Sequence, residues 1–141
     1  MSTSGYEGDL TPREAWELLE GDADAVLVDC RTQAEWAYVG APDTSPLGRA
    51  HLSLEWQQYP TGRVNDRFVD QLREALGDRQ DVPLVFLCRS GVRSVAAARS
   101  ATAAGLGRSY NVLDGFEGGI DADGHRGRTG WRAEGLPWRQ S

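Results

Sequence analysis

The sequence contains no lysine, and all 15 of its basic residues are arginine. The 21 acidic residues give a formal net charge of −6, which argues against general nucleic-acid binding because phosphate backbones require a basic surface. No run approaches the roughly 20 apolar residues that a membrane span needs. The first residues lack the basic and apolar regions of a signal peptide. We therefore expect a cytoplasmic protein with no nucleic-acid and no membrane partner.

Cysteine and histidine are scarce, with two of each in the chain. Two cysteines in a cytosolic chain are better interpreted as thiols than as a structural disulfide. His51 and His125 lack companion cysteines, so no metal site is predicted. No Ser-His-Asp arrangement and no glycine-rich nucleotide loop is evident, and no cofactor is expected. Cys30 and Cys88 are therefore the candidate reactive residues.

The most informative segment surrounds Cys88. Residues 84–94 read Leu-Val-Phe-Leu-Cys-Arg-Ser-Gly-Val-Arg-Ser, and an alanine-rich run follows. This pattern predicts a strand, a tight loop and a helix, with Cys88 at the carboxyl end of the strand. Such a loop turns backbone N–H groups inward as an anion-binding nest, and the helix dipole adds positive potential. We expect these groups to lower the thiol pKa below about 8.5 and to make Cys88 reactive.

The length of this loop separates two cysteine chemistries. Cys88 and Arg93 enclose four residues, which gives a six-residue Cys-x-x-x-x-Arg loop. Cysteine-dependent phosphatases have one residue more, and their wider loop holds a tetrahedral phosphoryl group. The six-residue form instead resembles the active-site loop of rhodanese domains, which fits the outer sulfur of a persulfide. Phosphatase activity is accordingly disfavoured.

The resemblance to rhodanese domains covers about residues 5–120. Residues 26–36, Val-Leu-Val-Asp-Cys-Arg-Thr-Gln-Ala-Glu-Trp, resemble the family's strand-and-turn signature, with Cys30 where valine is usual. Residues 106–115 resemble its last strand and the glycine turn that faces the active loop. Residues 39–43, Val-Gly-Ala-Pro-Asp, depart from the family's Gly-His-Ile-x-Gly-Ala.

Strands that alternate with helices predict an α/β fold with a parallel sheet of about five strands and helices on both faces, which the resemblance makes rhodanese-like. The chain of 141 residues has room for a single domain. We expect a core over about residues 5–116. Residues 117–141 form a tail packed on the domain through its tryptophans. In open parallel sheets, ligands lie beyond the carboxyl ends of the strands, where Cys88 is expected.

Local signals place the individual elements. Thr11 and Thr32 each begin a capping box, Asn65 is predicted to cap a third helix, and Gly21 is predicted to end the first. Helices are predicted over residues 12 to about 19, 33 to about 38, 66–76 and 94–104. Strands are predicted over residues 25–29, within 50–56, over 83–87 and over 110–113. Residues 40–49 and 57–62 are predicted to be loops.

The resemblance implies that Cys88 is the catalytic nucleophile and that the rest of the loop binds substrate. The substrate-binding residues are then Arg89, Ser90, Gly91, Val92, Arg93 and Ser94. Arg89 is expected to point toward incoming substrate, with a solvated surface arginine as the alternative. Arg93 either braces the loop or binds an anion. The Ser90 and Ser94 hydroxyls are candidate donors to bound sulfur, and Ser94 is equally well explained as a helix N-cap.

Within the strand-and-turn signature of residues 26–36, two residues are predicted to support the active site without taking part in the chemistry. Asp29 and Arg31 share one face of the strand end, where they are expected to form a scaffold ion pair or to brace Glu35. Cys30 faces the opposite way, so a packed core thiol is the favoured interpretation. The alternative is a resolving cysteine that attacks a persulfide on Cys88.

The resemblance implies a thiosulfate sulfurtransferase. Such an enzyme moves sulfane sulfur from a small-molecule donor such as thiosulfate to cyanide or a thiol, through a persulfide on Cys88. The cationic Arg89 resembles the family's loops that favour anionic thiosulfate over mercaptopyruvate. The alternative is a persulfide carrier or redox adaptor that delivers sulfur to a protein partner, with little small-molecule turnover. A protein thiol acceptor is thus a possible partner in either case.

Overall fold

The structure is a computed structural model that describes residues 5–49, 51–58, 61–79, 81–89, 91–120 and 122–139. Ser90, one of the predicted substrate-binding residues, lies outside the described residues. Within the described ranges, no helix has both the length and the apolar composition needed to cross a bilayer.

Five parallel strands form the main sheet, in the order β1-β6-β5-β2-β4. A separate antiparallel pair joins β3 to β7. In chain order the strands are β1 (Gly8–Leu10), β2 (Val26–Asp29), β3 (Ala41–Pro42), β4 (Leu52–Ser53), β5 (Pro83–Leu87), β6 (Arg108–Val112) and β7 (Trp138–Arg139). Every residue of β2 and β5 is buried, as the apolar run of β5 and the apolar run of β2 that closes on Asp29 predict.

The four helices of the described chain are α1 (Pro12–Gly21), α2 (Gln33–Tyr38), α3 (Phe68–Leu76) and α4 (Val92–Ala103). The capping boxes of Thr11 and Thr32 both form, as predicted. Helix α1 ends at Gly21, as predicted, but it extends two residues beyond the predicted end at about Leu19, and Asp22 is the C-cap.

Two other helix starts differ from prediction. Arg67, not Asn65, is the N-cap of α3, and the Asn65 side chain instead accepts a hydrogen bond from the Arg67 N–H at 3.1 Å, which closes a turn before the helix. Helix α4 begins two residues earlier than predicted, with Gly91 as its N-cap at a φ of 103°. Glycine adopts this left-handed conformation without the strain that a Cβ would cause.

The sheet carries a hydrophobic cluster on each face, which confirms the predicted fold class. Helices α3 and α4 cover one face, over a cluster whose sheet residues include Val28, Cys30, Phe86 and Cys88. Helix α1 and the C-terminal tail cover the other, over a cluster that includes Trp16, Leu27, Val85, Phe116 and Trp131.

The tail is anchored by its tryptophans. Trp131 is fully buried, packs edge-on against Trp16 at 5.7 Å, and donates its indole N–H to the Pro137 carbonyl oxygen at 2.9 Å. Strand β7 then pairs with β3 inside a segment predicted to be loop. A Cβ on Gly40 would lie 2.9 Å from the Trp138 ring, so glycine permits this close approach. The departure from the family pattern at residues 39–43 is thus where the tail docks.

Candidate active site

Cys88 lies one residue beyond the carboxyl end of β5, and its side chain is only 1% exposed. The backbone N–H of Gly91 donates to its sulfur at 3.1 Å. The backbone N–H of Ser94, in the first turn of α4, is a further donor to it. The amides of Gly91 and Ser94 therefore point at the sulfur, as those of an anion-binding nest do.

A buried polar chain leads from Cys88 to β1. The Ser94 hydroxyl lies 3.2 Å from the Cys88 sulfur and donates to Asn111 Oδ1 at 2.5 Å. Asn111 Nδ2 in turn donates to Asp9 at 3.0 Å, which fixes the orientation of the amide. While the thiol is protonated, its S–H donates to Ser94. Once it ionises, the single Ser94 hydroxyl proton can turn to the thiolate.

The interpretation of Ser94 as a helix N-cap is wrong. Gly91 occupies that position, and Ser94 is the third residue of α4. Its fully buried hydroxyl instead faces Cys88 and Asn111. The sequence signal for this contact is an asparagine in an otherwise apolar strand end, because a buried amide requires a partner.

Cys30 lies on the same face as Cys88 and opposite to Arg31, as strand alternation predicts. Its side chain is fully buried. The Cys30 S–H donates to the Leu87 carbonyl oxygen at 3.3 Å, and its single proton can turn to the Cys88 sulfur when that sulfur ionises. The two thiols are unlinked. Cys30 is thus packed in the core, as the favoured interpretation has it, and it also contacts the sulfur of Cys88.

The two thiols have opposite pKa shifts. Hydrogen bonds from the Cys30 thiol, the Ser94 side chain and backbone, and the Gly91 N–H lower the pKa of Cys88 to about 5, although burial opposes ionisation. Burial, followed by the hydrogen bond to Cys88, raises the pKa of Cys30 well above its ordinary value. At neutral pH, Cys88 is therefore a thiolate and Cys30 is its protonated neighbour.

Arg93 is held by Glu35. The guanidinium donates to both carboxylate oxygens, at 2.6 and 2.9 Å, and each side chain is about one-fifth exposed. Burial opposes the charge of Glu35, but the Arg93 guanidinium holds the pKa of that carboxyl below its usual value. Because Glu35 belongs to the capping box of Thr32, the pair fastens the start of α4 to the start of α2. This geometry matches the bracing role among the two roles predicted for Arg93.

Asp29 and Arg31 form the expected ion pair, with both side chains fully buried. Arg31 donates to the two carboxylate oxygens at 2.9 and 2.7 Å and to the Gly40 carbonyl oxygen at 2.8 Å. Its guanidinium also lies 4.3 Å from the centre of the Phe116 ring. The pair fixes the segment after α2 on the sheet face opposite to Cys88, which is a scaffold role.

The glycine turn after β6 packs against the loop, as the resemblance implies. The Phe116 N–H donates to the Cys88 carbonyl oxygen at 2.7 Å, and the Glu117 N–H donates to that of Arg89 at 3.0 Å. A Cβ on Gly115 would lie 2.6 Å from the Arg89 carbonyl carbon. The Arg89 guanidinium, about half exposed, pairs with Glu117 at 3.3 Å. No sequence signal pointed to Glu117, because its contact depends on the tail's path.

An open cleft of about 610 Å³ lies above the loop. Tyr38 and Val92 on its rim are 81% and 76% exposed. Its described lining residues are Thr32, Ala34, Glu35, Tyr38, Val39, Gln57, Gln58, Gly62, Arg89, Val92, Arg93 and Arg126. A larger cleft of about 950 Å³ lies at the opposite end of the sheet, and its described lining holds no residue of the Cys88 loop, whereas Arg89, Val92 and Arg93 of that loop line the smaller cleft. The cleft above the loop is therefore the candidate substrate site.

Comparisons with known proteins assign the family. The model of the STR4 middle domain, a rhodanese-like family, matches residues 8–141. The chain belongs to this rhodanese-like family. An uncharacterized protein of Rickettsia rickettsii is 36% identical over 126 residues, which cover 89% of this chain and 92% of that one.

Two further relatives fit this rhodanese-like assignment. The thiosulfate sulfurtransferase GlpE of Glaesserella parasuis is 30% identical over 115 residues, or 82% of this chain and 88% of that protein. The crystal structure of Rv0390 from M. tuberculosis is 57% identical and superposes with a TM-score of 0.88, covering 96% of this chain and 99% of that one. The predicted family resemblance is thus confirmed.

Proposed function

We propose that the protein is a sulfurtransferase that moves sulfane sulfur from a donor such as thiosulfate to cyanide or a thiol, through a persulfide on Cys88. The observation that carries the proposal is the hydrogen bonding of the Cys88 sulfur by the Gly91 N–H and by the Ser94 hydroxyl and N–H. With its pKa lowered to about 5 by these groups and the Cys30 thiol, Cys88 is ionised at neutral pH. The thiolate is the nucleophilic form of cysteine.

The reaction divides into two half-reactions. The Cys88 thiolate attacks the outer sulfur of thiosulfate, whose S–S bond breaks, and the electron pair leaves with sulfite. The added sulfur carries the negative charge of the persulfide, and N–H groups of the loop stabilise that charge as an oxyanion hole does. The acceptor then attacks this outer sulfur, and Cys88 leaves as the thiolate. Such covalent catalysis gives ping-pong kinetics.

The two loop arginines take different roles in this mechanism. Arg89 pairs with Glu117 through its Nε at 3.3 Å, yet its side chain is half exposed at the edge of the cleft, where its positive charge attracts the thiosulfate dianion. Arg93 is already paired in bidentate fashion with Glu35, so it braces the loop.

Sulfite release tests the first half-reaction directly. We expect the full chain to release one equivalent of sulfite from thiosulfate without an acceptor, and to form thiocyanate continuously when cyanide is added. Cys88→Ser removes the nucleophile, so both products should fall by on the order of 10³-fold or more. Wild-type protein that releases no sulfite, or a Cys88→Ser variant that releases as much, would refute the proposal. Circular dichroism confirms that the variant is folded.

A persulfide carrier is a second candidate function. The cleft of about 610 Å³ is far larger than a thiosulfate ion, and the exposed Tyr38 and Val92 give it an apolar rim suited to a protein surface. A carrier would release one equivalent of sulfite but turn over poorly with cyanide. Rapid thiocyanate formation would contradict this second candidate and leave the first.

A further inference from the structure

The strand register brings the two cysteines of the chain together. Strands β2 and β5 are parallel neighbours in which Asp29 pairs with Leu87. The Cys30 N–H continues the ladder by donating to the Leu87 carbonyl oxygen at 2.8 Å. One residue further along, Cys30 lies beside Cys88.

The spacing and direction of the two side chains suit a disulfide. Neighbouring strands lie about 4.8 Å apart, within the range of about 4.4–6.8 Å that separates the Cα atoms of bonded cysteines. Both side chains belong to the cluster beneath α3 and α4, so they point to the same face of the sheet. Both are at most 1% exposed, so the two thiols are buried together.

We propose that Cys30 is a resolving thiol that attacks the inner sulfur of the Cys88 persulfide, forms a Cys30–Cys88 disulfide and releases the outer sulfur as hydrosulfide. This inference rests on the proposed function, because it begins from the persulfide. When no acceptor occupies the cleft, the outer sulfur then has a second reaction, which is its release as hydrosulfide.

The step balances without an added oxidant. The S–H bond of Cys30 breaks and its proton passes to the outer sulfur of the persulfide anion. The bond between the sulfurs of Cys30 and Cys88 forms while the persulfide S–S bond breaks, and the electron pair of that bond leaves with the outer sulfur. The outer sulfur is thereby reduced to hydrosulfide, the Cys30 sulfur is oxidised from thiol to disulfide, and the Cys88 sulfur exchanges one sulfur partner for another without changing its oxidation state. A small thiol reductant such as dithiothreitol returns both thiols to the reduced state.

The environment of Cys30 supplies the proton that this step consumes. Burial and the neighbouring Cys88 raise the pKa of Cys30, so it keeps its proton at neutral pH. A protonated neighbour does not compete with Cys88 for the sulfur donor, because the thiolate is the attacking form. When the persulfide anion takes this proton, Cys30 becomes the thiolate that attacks, so Cys30 acts only after the persulfide has formed.

Peptide mapping after thiosulfate treatment tests the proposal. The full chain is treated anaerobically without thiols, quenched in acid and digested with trypsin without reductant. Cleavage after arginine places Cys30 in residues 14–31 and Cys88 in residues 80–89. We expect these two peptides to become linked, with one hydrosulfide released for each link. Cys30→Ser should abolish both the link and the hydrosulfide, and should leave one extra sulfur atom on the peptide of residues 80–89. Cys30→Ala serves if the serine variant does not fold.

The outcomes separate this inference from the proposed function. Wild-type protein that releases sulfite, keeps one extra sulfur atom on Cys88 and forms no link would overturn the resolving role alone. Protein that releases no sulfite would overturn the sulfurtransferase proposal, on which the resolving role depends. A link that forms equally without thiosulfate, or a Cys30→Ser variant that still releases hydrosulfide at the wild-type rate, would also contradict the step.

Discussion

The ends of β2 and β5 are built alike, yet only one of them activates its cysteine. Each strand is followed by a cysteine, a short connection and a helix. In α2, the hydroxyl of the N-cap Thr32 accepts the N–H of the third helical residue, Glu35. In α4, the N-cap is Gly91, which has no side chain, and the corresponding N–H of Ser94 donates to the Cys88 sulfur.

This comparison shows what lowers the pKa of Cys88. The first N–H groups of a helix require acceptors from outside the helix. At α2 the Thr32 hydroxyl supplies the acceptor, so this N–H does not stabilise an anionic Cys30. At α4 the cap residue Gly91 has no side chain, so the N–H group donates to the Cys88 sulfur instead. The positive end of the helix dipole stabilises an anion at this position. The N–H groups that the glycine cap leaves for Cys88 thus add to the Cys30 hydrogen bond in lowering the pKa of Cys88, whereas burial is the main cause that keeps Cys30 a thiol.

Among substitutions that alter one of the two strand ends, Gly115→Ala is expected to have the largest effect, because it displaces the Cys88 loop. The residue has a φ of 56°, and the added Cβ would lie 2.6 Å from the Arg89 carbonyl carbon, so the loop must move away from its present position. We expect a loss of about 1–3 kcal/mol in the free energy of unfolding, measured in urea, together with a marked loss of sulfite release.

Gly124→Ala is the matched control for that substitution. Gly124 has a φ of 80°, but its added Cβ would have no atom within 4 Å. It should lose about 1 kcal/mol from backbone strain alone and keep its sulfite release. Equal sulfite release in the two variants would mean that the glycine turn does not set the loop geometry.

A smaller effect is expected when the thiol donor is removed with Cys30→Val. A hydrogen bond to a charged group contributes about 1.5–3 kcal/mol, so its loss should raise the pKa of Cys88 by about 1–2 pH units. Cys30→Ser keeps a hydroxyl donor and should raise the pKa less. The pH dependence of alkylation at Cys88, the only remaining cysteine, measures both shifts. An unchanged midpoint in Cys30→Val would show that Cys30 does not stabilise the thiolate.

The smallest effect is expected from Thr32→Ala, which removes the cap at the start of α2. Loss of an N-cap hydroxyl typically costs about 1 kcal/mol in the free energy of unfolding. Thr11→Ala at the start of α1 removes the same type of capping box and should cost a similar amount, since both boxes form. A Thr32→Ala variant as stable as wild type in urea would indicate that the hydrogen bond from the Glu35 N–H to this hydroxyl does not stabilise the helix.

Local signals in the sequence predicted much of this architecture. Strand β5 has the predicted bounds, because an apolar run between a proline and the loop fixes both ends. The capping boxes at Thr11 and Thr32 formed because all their partners lie within three residues. Strand β1 was missed. It has only three residues, including a glycine, and its pairing with β6 joins distant parts of the chain.

In the candidate site, too, local features could be predicted and distant contacts could not. Consecutive residues predicted the position of Cys88 and the six-residue length of its loop. The contacts of Arg93 with Glu35, of Ser94 with Asn111 and of Cys88 with Cys30 span 58, 17 and 58 positions in the printed numbering. Such contacts depend on strand register and on the order of strands in the sheet, which no local pattern specifies.

The pH dependence of Cys88 alkylation in the wild-type protein tests the central claim most directly. Iodoacetamide reacts with the thiolate, and the modified peptide of residues 80–89 reports Cys88 separately from Cys30. Because the pKa of Cys88 is lowered to about 5, the rate should be on a plateau at neutral pH and fall only as the pH decreases through about 5. A rate that is already falling as the pH decreases through about 8.5, as for an ordinary thiol, would contradict the account.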